Sequence, residues 1–297
     1  MKKVGIILSI VLLLFVTCMG TVLAEENIES ESEESLESGT YNMLLIGVDR
    51  RDDSWYGNSD VMILVTVNSQ KETIYMTSFL RDLYADIPGI SDHRLNAACA
   101  NGGAELCVQT IKDNYGVQID NYAMVDFNSM AEIVDNIGGV EVEISDAEME
   151  FINKHIAEQY KLAGRSDVEY LEHSGTVLMN GYQTVVYTRD RTTGISSDFG
   201  RTERQRKVLT AIFEKAKNDY EETSSSSTVQ KLLSYMTNDL TGGDTLKLMA
   251  KMSEWLNYQL EEQRIPFDDS YYITEDQILV PNNMDETIAK LQEILYD

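Results

Sequence analysis

The sequence predicts an α/β fold, with a single α-β-α sandwich domain around a central mixed sheet and an N-terminal transmembrane helix. From Tyr41 onward, short apolar segments alternate with longer amphipathic ones, a pattern that is typical of helices packed on a sheet. Ahead of them, residues 4–24 follow Lys2 and Lys3 and carry no charge. As a helix they would span roughly 30 Å, the thickness of a bilayer core.

Three parts are expected along the chain. Residues 1–24 would hold the cytoplasmic lysines and the transmembrane anchor, although the sequence before Glu25 also suits cleavage of a signal peptide. Residues 25–39 would form an acidic linker, because seven glutamates between Glu25 and Ser38 repel one another. Residues 40–297 would form the extracellular domain. We therefore expect a single-pass protein of the cell membrane, or a cleaved secreted form.

Charge and cysteine content restrict the partners. The formal net charge of -26 disfavours nucleic acid and anionic lipid surfaces as broad partners, so any phosphate ligand must be bound locally. Cys99 and Cys107 are too far apart to bridge on one continuous helix, at about 12 Å, although a break at Gly102-Gly103 would bring them closer. We expect both to be free and buried.

Apolar, β-branched runs predict the strands, and Ser, Asp or Thr caps mark several of the helices. Strands are predicted at 43–48, 61–67, 73–78, 121–127, 140–144 and 183–189. Helices are predicted at 95–100, 104–114, 129–137, 146–162, 201–217, 229–236, 245–260 and 285–295. The polar segment 164–181 is expected to be a surface excursion, or alternatively a mobile lid over a site, formed by Tyr170 and Leu171.

Arginines are concentrated in one stretch of the chain. Five lie within eighteen positions, namely Arg189, Arg191, Arg201, Arg204 and Arg206. A guanidinium can donate two parallel hydrogen bonds to phosphate while staying ionised. Arg189 and Arg191 would share one face of the predicted strand, and Arg201, Arg204 and Gln205 one face of the helix that follows. The alternative is a solvated face on which the arginines pair with neighbouring carboxylates.

Carboxylates lie at the ends of two predicted strands. Asp49 follows the first strand and Asp60 precedes the second, so an antiparallel hairpin would place both at the same end of the sheet. Two carboxylates with open positions for water and phosphate oxygens suit Mg²⁺. The alternative is structural, with Asp49 paired to Arg50 or Arg51 and Asp60 capping a turn. Arg81, after the third strand, adds a cation to this group.

Many short motifs follow one another along the chain: Gly47-Val48-Asp49, Asn58-Ser59-Asp60, Ser78-Phe79-Leu80-Arg81-Asp82, Leu95-Asn96-Ala97-Ala98, Gly102-Gly103, Val125-Asp126-Phe127, Asp135-Asn136-Ile137-Gly138-Gly139-Val140, Tyr187-Thr188-Arg189-Asp190-Arg191 and Asp198-Phe199-Gly200-Arg201-Thr202-Glu203-Arg204-Gln205. In this order, from about Tyr41 to Ala216, they resemble the LytR-CpsA-Psr family.

The resemblance implies a phosphotransferase that moves a glycopolymer, such as teichoic acid or capsular polysaccharide, from a polyprenyl (undecaprenyl) diphosphate carrier to peptidoglycan. It places the metal ligands, for Mg²⁺ or alternatively Mn²⁺, at Asp49 and Asp60. The diphosphate ligands would be Arg81, Arg189, Arg191, Arg201 and Gln205. Asp49 is the candidate base for the acceptor hydroxyl, and Arg81, Arg189 and Arg191 would stabilise the reacting phosphate.

Two positions depart from the family pattern. Asn58 stands where the family usually has arginine, so one positive charge is missing, and Arg50, Arg51 or Arg94 are candidates to replace it. Leu80 stands where the family usually has proline. The Asn58 departure leaves open a second class of function, a protein that binds polyprenyl phosphate or diphosphate without ligase activity. Arg204 and Arg206 have no assigned role and are expected at the surface.

Overall fold

The computed structural model describes residues 39–50, 55–194, 198–218, 231–255 and 257–297. Within them the chain forms two compact units, residues 39–126 with 237–297 and residues 127–236, so the predicted domain 40–297 divides between these units. No helix in the described part of the chain is both long and apolar enough to cross a membrane. The predicted anchor at 4–24 and nearly all of the linker lie outside that part.

Ten strands and seven helices are named here in chain order. The strands are β1 (Thr40–Asp49), β2 (Asn58–Asn68), β3 (Thr73–Phe79), β4 (Asn121–Asp126), β5 (Val140–Ile144), β6 (Gly175–Met179), β7 (Thr237–Asn238), β8 (Gln259–Ile265), β9 (Tyr271–Ile273) and β10 (Leu279–Pro281). The helices are α1 (Asn96–Tyr115), α2 (Phe127–Asn136), α3 (Asp146–Leu162), α4 (Gly181–Thr188), α5 (Asp198–Asn218), α6 (Gly242–Trp255) and α7 (Met284–Tyr296).

The first unit is built on a six-stranded sheet in the order β7-β4-β1-β2-β3-β8. β1, β2 and β3 pair antiparallel, whereas β4 joins β1 and β8 joins β3 in parallel. The sheet is therefore mixed, which confirms the predicted mixed α/β class. Its core includes Met43, Leu44, Ile63, Leu64 and Met76, each at most 1% exposed. Burying each such side chain contributes about 1.5–3 kcal/mol.

Among the described residues, the second unit contains the β5–β6 hairpin and the helices α2, α3, α4 and α5. α3 begins with a capping box, in which the Ser145 hydroxyl accepts from the Glu148 amide and the Glu148 carboxylate accepts from the Ser145 amide. α4 packs against α2 so closely that a Cβ on Gly181 would lie 2.0 Å from the carbonyl oxygen of Ala131. Glycine is thus the one residue that permits this helix contact.

Residues 183–189 are not a strand, and this prediction was wrong. α4 covers 181–188, opened by a capping box between Asn180 and Gln183. Residues 181–187 are all buried, so the segment lacks the division into a buried and an exposed face that identifies a surface helix. The cap and the contact with α2 outweigh the strand propensity of Val185 and Val186.

Other boundaries also differ from the predictions. The helix expected at 245–260 ends at Trp255, and Gln259 and Leu260 belong to β8, whose polar sequence pairs with the edge of β3. The segment 164–181 contains β6 and the start of α4. The helices expected at 95–100 and 104–114 are confirmed as two helical segments of α1, separated by non-helical backbone at Gly102 and Gly103.

Candidate functional site

In the first unit, the antiparallel pairing of β1 and β2 brings Asp49 and Asp60 to the same end of the sheet. Asp49 pairs with Asn58 in the register. Gly47 pairs with Val61 and Val48 with Ser59, so Asp60 is the extra residue of a β-bulge. Asp60 therefore lies inside a strand and does not cap a turn.

Arg81 lies just beyond the end of β3 and contacts this carboxylate directly. Its Nη1 donates to Oδ1 of Asp60 at 3.0 Å, and its Nε donates to Oδ2 of Asp82 at 3.3 Å. The Arg81 and Asp60 side chains are 22% and 17% exposed, which leaves them partly accessible to a ligand. A charge-assisted bond of this kind fixes the orientation of the Asp60 carboxylate.

Two candidate replacements for the charge missing at Asn58 contact carboxylates of the first unit. Nη2 of Arg50 lies 3.8 Å from Oδ2 of Asp126. Arg94 approaches Asp82 with Nε at 3.7 Å and donates from Nη1 to Asp92 at 3.4 Å. The third candidate, Arg51, lies outside the described residues.

The chemistry of Asp49 and Asp60 fits a divalent cation that keeps part of its water shell. No group of three or more His, Cys, Asp or Glu within the described ranges is arranged to hold a metal. Mg²⁺ is commonly bound through one or two carboxylates, with water and substrate phosphates completing its octahedron. The two carboxylates therefore match the number of protein ligands with which Mg²⁺ is commonly bound.

In the second unit, Arg189 is fixed at the C-terminal end of α4. Its guanidinium carbon lies 4.7 Å from the centre of the Phe127 ring, and its Nη1 donates to Oε1 of Gln159 at 3.1 Å. Gln159 is a buried polar residue of α3, only 4% exposed. Arg189 as a whole is exposed, so its position is held from one side while the rest remains accessible.

The other predicted phosphate ligands of the second unit have different environments. Arg191 is exposed in the loop after α4, so Arg189 and Arg191 do not share a strand face as predicted. Arg201 and Gln205 lie one turn apart on α5 and are 3% and 6% exposed. Together with buried Arg204, they confirm that three polar residues share one face of this helix.

Arg204 is not the surface residue that the sequence suggested. Its side chain is 5% exposed, and Nε donates to Oε1 of Glu148 at 2.8 Å and lies 3.7 Å from Oδ2 of Asp190. Nη2 donates to the carbonyl and hydroxyl oxygens of Thr193 at 2.5 and 2.8 Å. Arg204 thus connects α5 and α3 to the loop that carries Arg191. The Ser145 and Glu148 pair, three residues apart at the start of a helix, is the one sequence feature that indicates a fixed Glu148 carboxylate.

The two carboxylates around Arg204 are held ionised. Burial acts to raise the pKa of Asp190, but hydrogen bonds from Thr193 and Thr192 and the Arg204 charge together lower it. Burial likewise acts to raise the pKa of Glu148, and bonds from Ser145 and Arg204 lower it. The cluster is therefore a folded-state ion network in which each charge depends on its neighbours.

Cys99 and Cys107 are free and buried, as predicted. Burial is the main cause that raises the pKa of Cys99 to about 11, and burial raises that of Cys107 further above its ordinary value. Both thiols are therefore protonated at neutral pH and unsuited to nucleophilic chemistry.

Comparison with known proteins gives the wider context. A model of the LytR_cpsA_psr family matches residues 15–293. The chain belongs to the LytR-CpsA-Psr family. Among curated relatives, Biofilm regulatory protein A of Streptococcus mutans is 31% identical over 82% of this chain and 62% of its own length. A TagU of Bacillus subtilis, named a polyisoprenyl-teichoic acid–peptidoglycan teichoic acid transferase, is 32% identical over 60% of this chain and 53% of its own length.

Solved structures of LytR-CpsA-Psr proteins share the fold. Protein gbs0355 from Streptococcus agalactiae superposes with a TM-score of 0.69 at 24% identity, covering 90% of this chain and 91% of that one. TagT with bound octaprenyl pyrophosphate lipid gives a TM-score of 0.61 at 22% identity, covering 92% and 94%. The chain thus covers less than two thirds of the two curated relatives above but nearly the whole of these solved chains.

Proposed function

We propose that this LytR-CpsA-Psr protein transfers a glycopolymer of the teichoic acid or capsular polysaccharide type from a polyprenyl diphosphate carrier to peptidoglycan. The observation that carries the proposal is the Arg81–Asp60 pair, at the end of the sheet that also carries Asp49, because it joins a guanidinium suited to anions to a carboxylate suited to a metal ion. The names of relatives support it, since the curated TagU proteins are called teichoic acid transferases. A TagT structure holds a polyprenyl pyrophosphate lipid.

The residues of the first unit would prepare the phosphate for attack. Asp49 and Asp60 would hold Mg²⁺ or Mn²⁺, which neutralises charge on diphosphate oxygens when bound. Arg81 orients Asp60 before any ligand arrives, so less reorganisation is needed during the reaction. Asp49 would also take the proton of the acceptor sugar hydroxyl. That oxygen bonds to the polymer-side phosphorus, the P–O–P bond breaks, and polyprenyl phosphate leaves.

The basic residues of the second unit would bind diphosphate by charge. Arg189, Arg191, Arg201 and Gln205 would be its ligands, as the resemblance to the family implies. The Phe127 ring and Gln159 hold Arg189 in one orientation, which reduces the side-chain entropy lost on binding. We also propose that residues 4–24 anchor the chain in the cell membrane with its catalytic domain outside, because a membrane carrier lipid requires the enzyme at that surface.

The proposal can be tested with the purified full chain, a polyprenyl-diphosphate-linked saccharide, peptidoglycan and Mg²⁺. Arg81→Ala and the double variant Arg189→Ala/Arg191→Ala should each reduce the transfer rate by 100-fold or more, since each removes charge stabilisation worth roughly 3 kcal/mol. Lys207→Ala is the control for loss of an exposed cation, because Lys207 is 49% exposed and its ion pair is with Glu203 on the same helix. Wild-type transfer by the folded double variant would contradict the assignment.

The Asn58 departure defines the alternative outcome. A binding or attenuating protein would retain the lipid diphosphate in an arginine-dependent manner and release no polymer to any acceptor. Product analysis by mass spectrometry separates transfer, hydrolysis and retention. Asn58→Arg should raise transfer if the missing charge limits turnover.

A further inference from the structure

A cavity of about 470 Å³ opens in the second unit, outside the residues assigned to the diphosphate. The turn between α2 and β5, the segment 169–173 and the strand β6 line it, and Asn180 and Gln183 close it at the start of α4. Its volume lies within the range of small-ligand sites, roughly 300–1,000 Å³.

Two carboxylates face this cavity in fixed orientations. Oδ1 of Asp135 accepts from the Gly181 amide at 2.7 Å, and Oε2 of Glu169 accepts from Nδ2 of Asn180 at 2.9 Å. In the part of the chain that the structure describes, the second oxygen of each carboxylate has no hydrogen bond to the protein. Each is therefore an acceptor for a donor on a ligand.

The charge of the lining excludes one ligand class. Asp135, Glu169 and Glu172 line the cavity, and its lining residues include no lysine or arginine. A phosphate-bearing ligand would lie among three carboxylates with no cation in the lining, at an energetic cost, because Arg165, whose charge acts to lower the pKa of Asp135, lies outside the lining. The cavity is therefore suited to an uncharged ligand rich in hydroxyl groups and unsuited to a diphosphate or polyol-phosphate chain.

An apolar surface complements the carboxylates. Tyr170 and Leu178 both line the cavity and are 56% and 59% exposed, among the most exposed large hydrophobic side chains described. An aromatic ring beside fixed acceptors matches a sugar, which has an apolar face of C–H groups and a rim of hydroxyl donors.

We propose that this cavity binds an uncharged saccharide, with Asp135 and Glu169 accepting from its hydroxyls and Tyr170 stacking on its ring. Gln183 accepts from the Asn180 amide and donates to the Glu169 carbonyl, so the wall is formed before binding. α4 carries Gln183 near its start and Arg189 at its end, about 9 Å further along the axis. Assignment of the cavity to the acceptor glycan rests on the proposed function, whereas saccharide binding does not.

The experiment is calorimetric titration of the full chain with tetra-N-acetylchitotetraose, an uncharged oligomer of N-acetylhexosamine. Tyr170→Ala, Asp135→Asn and Glu169→Gln should each raise Kd by roughly 5- to 10-fold. The amide variants keep the bonds to Gly181 and Asn180, so folding is preserved. Glu158→Gln, an exposed carboxylate outside the cavity, should leave Kd unchanged.

Several results would overturn the inference. These are absence of saturable binding, equal Kd for the cavity variants and the wild type, or equally tight binding of a glycerol phosphate oligomer. Arg81→Ala separates the two proposals, because it should reduce the transfer rate by 100-fold or more without changing the saccharide Kd. If saccharide binds but no transfer occurs in the wild type, the proposed function fails while the saccharide site stands.

Discussion

The guanidinium of Arg189 lies against the Phe127 ring at 4.7 Å and donates to Gln159, a glutamine that is almost fully buried in α3. The buried side-chain amide of Gln159 needs a hydrogen-bond partner, because an unpartnered amide there would be destabilising. Its bond to the Arg189 guanidinium therefore fixes the direction in which that charge points. Phe127 supplies the second contact by a cation–π interaction. Arg189 therefore presents its remaining donors from a fixed position.

Removing the glutamine should weaken diphosphate binding without removing the arginine. Gln159→Ala is expected to raise the Kd for farnesyl diphosphate about fivefold, equivalent to roughly 1 kcal/mol for one lost hydrogen bond. In the Arg189→Ala background the same substitution should have no further effect. Glu158→Ala, at the exposed neighbouring position, is the control, and an unchanged Kd for Gln159→Ala contradicts the prediction.

Arg204 should be essential for the stability of the second unit. Arg204→Ala leaves Asp190 buried at 1% exposure without its cation, and is expected to reduce the free energy of unfolding by about 3–5 kcal/mol. Lys207→Ala, which breaks an exposed pair with Glu203 on the same helix, should change it by less than about 1 kcal/mol. Urea unfolding followed by circular dichroism measures both, and similar losses would rule out the network.

The same network predicts acid sensitivity. The folded-state pKa values of Glu148 and Asp190 are lowered, so their contribution is present above the unfolded values, at about pH 4. It is lost as pH falls through the folded values, because protonation then favours the unfolded chain. We expect unfolding free energy to fall with pH below about 4, and Glu148→Gln to flatten that slope. An unchanged slope would contradict the prediction.

The two cysteines should react slowly in the folded protein. Burial raises both pKa values, to about 11 for Cys99, so the thiolate fraction at pH 8 is small and the sulfur atoms are inaccessible. Alkylation by iodoacetamide should be about 100-fold slower than in urea, with each site followed by peptide mass spectrometry. Fast labelling of either cysteine in the native state would contradict the burial.

Gly181 should tolerate no side chain. Gly181→Ala would place Cβ 2.0 Å from the Ala131 carbonyl oxygen and should cost about 3 kcal/mol or more by separating α4 from α2. Gly243→Ala in α6 meets only an ordinary contact at 3.6 Å and should be neutral or stabilising by up to about 1 kcal/mol. Thermal unfolding of both variants tests the difference, and equal melting temperatures would contradict it.

Hydrophobic runs and helix caps in the sequence correctly predicted several strands and helices. The hydrophobic runs located β1, β2 and β3, and α3 was predicted at its observed bounds because a Ser145 cap and an amphipathic period coincide. They failed where tertiary contacts decide the conformation. α4 resembles a strand because it is buried on all sides, and β8 is recognisable only through its pairing with β3.

In the candidate site, too, local patterns were predictive and contacts between distant elements were not. Strand order alone was sufficient to place Asp49 and Asp60 at one end of the sheet, since an antiparallel hairpin fixes that geometry. The role of Arg204 could not be predicted, because Glu148 is 56 residues distant in sequence. Nothing local distinguishes a buried arginine from an exposed one when its partners come from other elements.

Because of the bulge at Asp60, the number of residues in β2 decides on which face of the sheet each of its side chains lies. Successive side chains on a strand point to opposite faces, so one extra residue reverses the alternation on the N-terminal side of the bulge. Deleting a single residue beside Asp60 would restore an unbroken ladder with β1, but it would exchange the faces of the residues before the deletion. Insertions and deletions at this point should therefore be far less tolerated than substitutions of similar size.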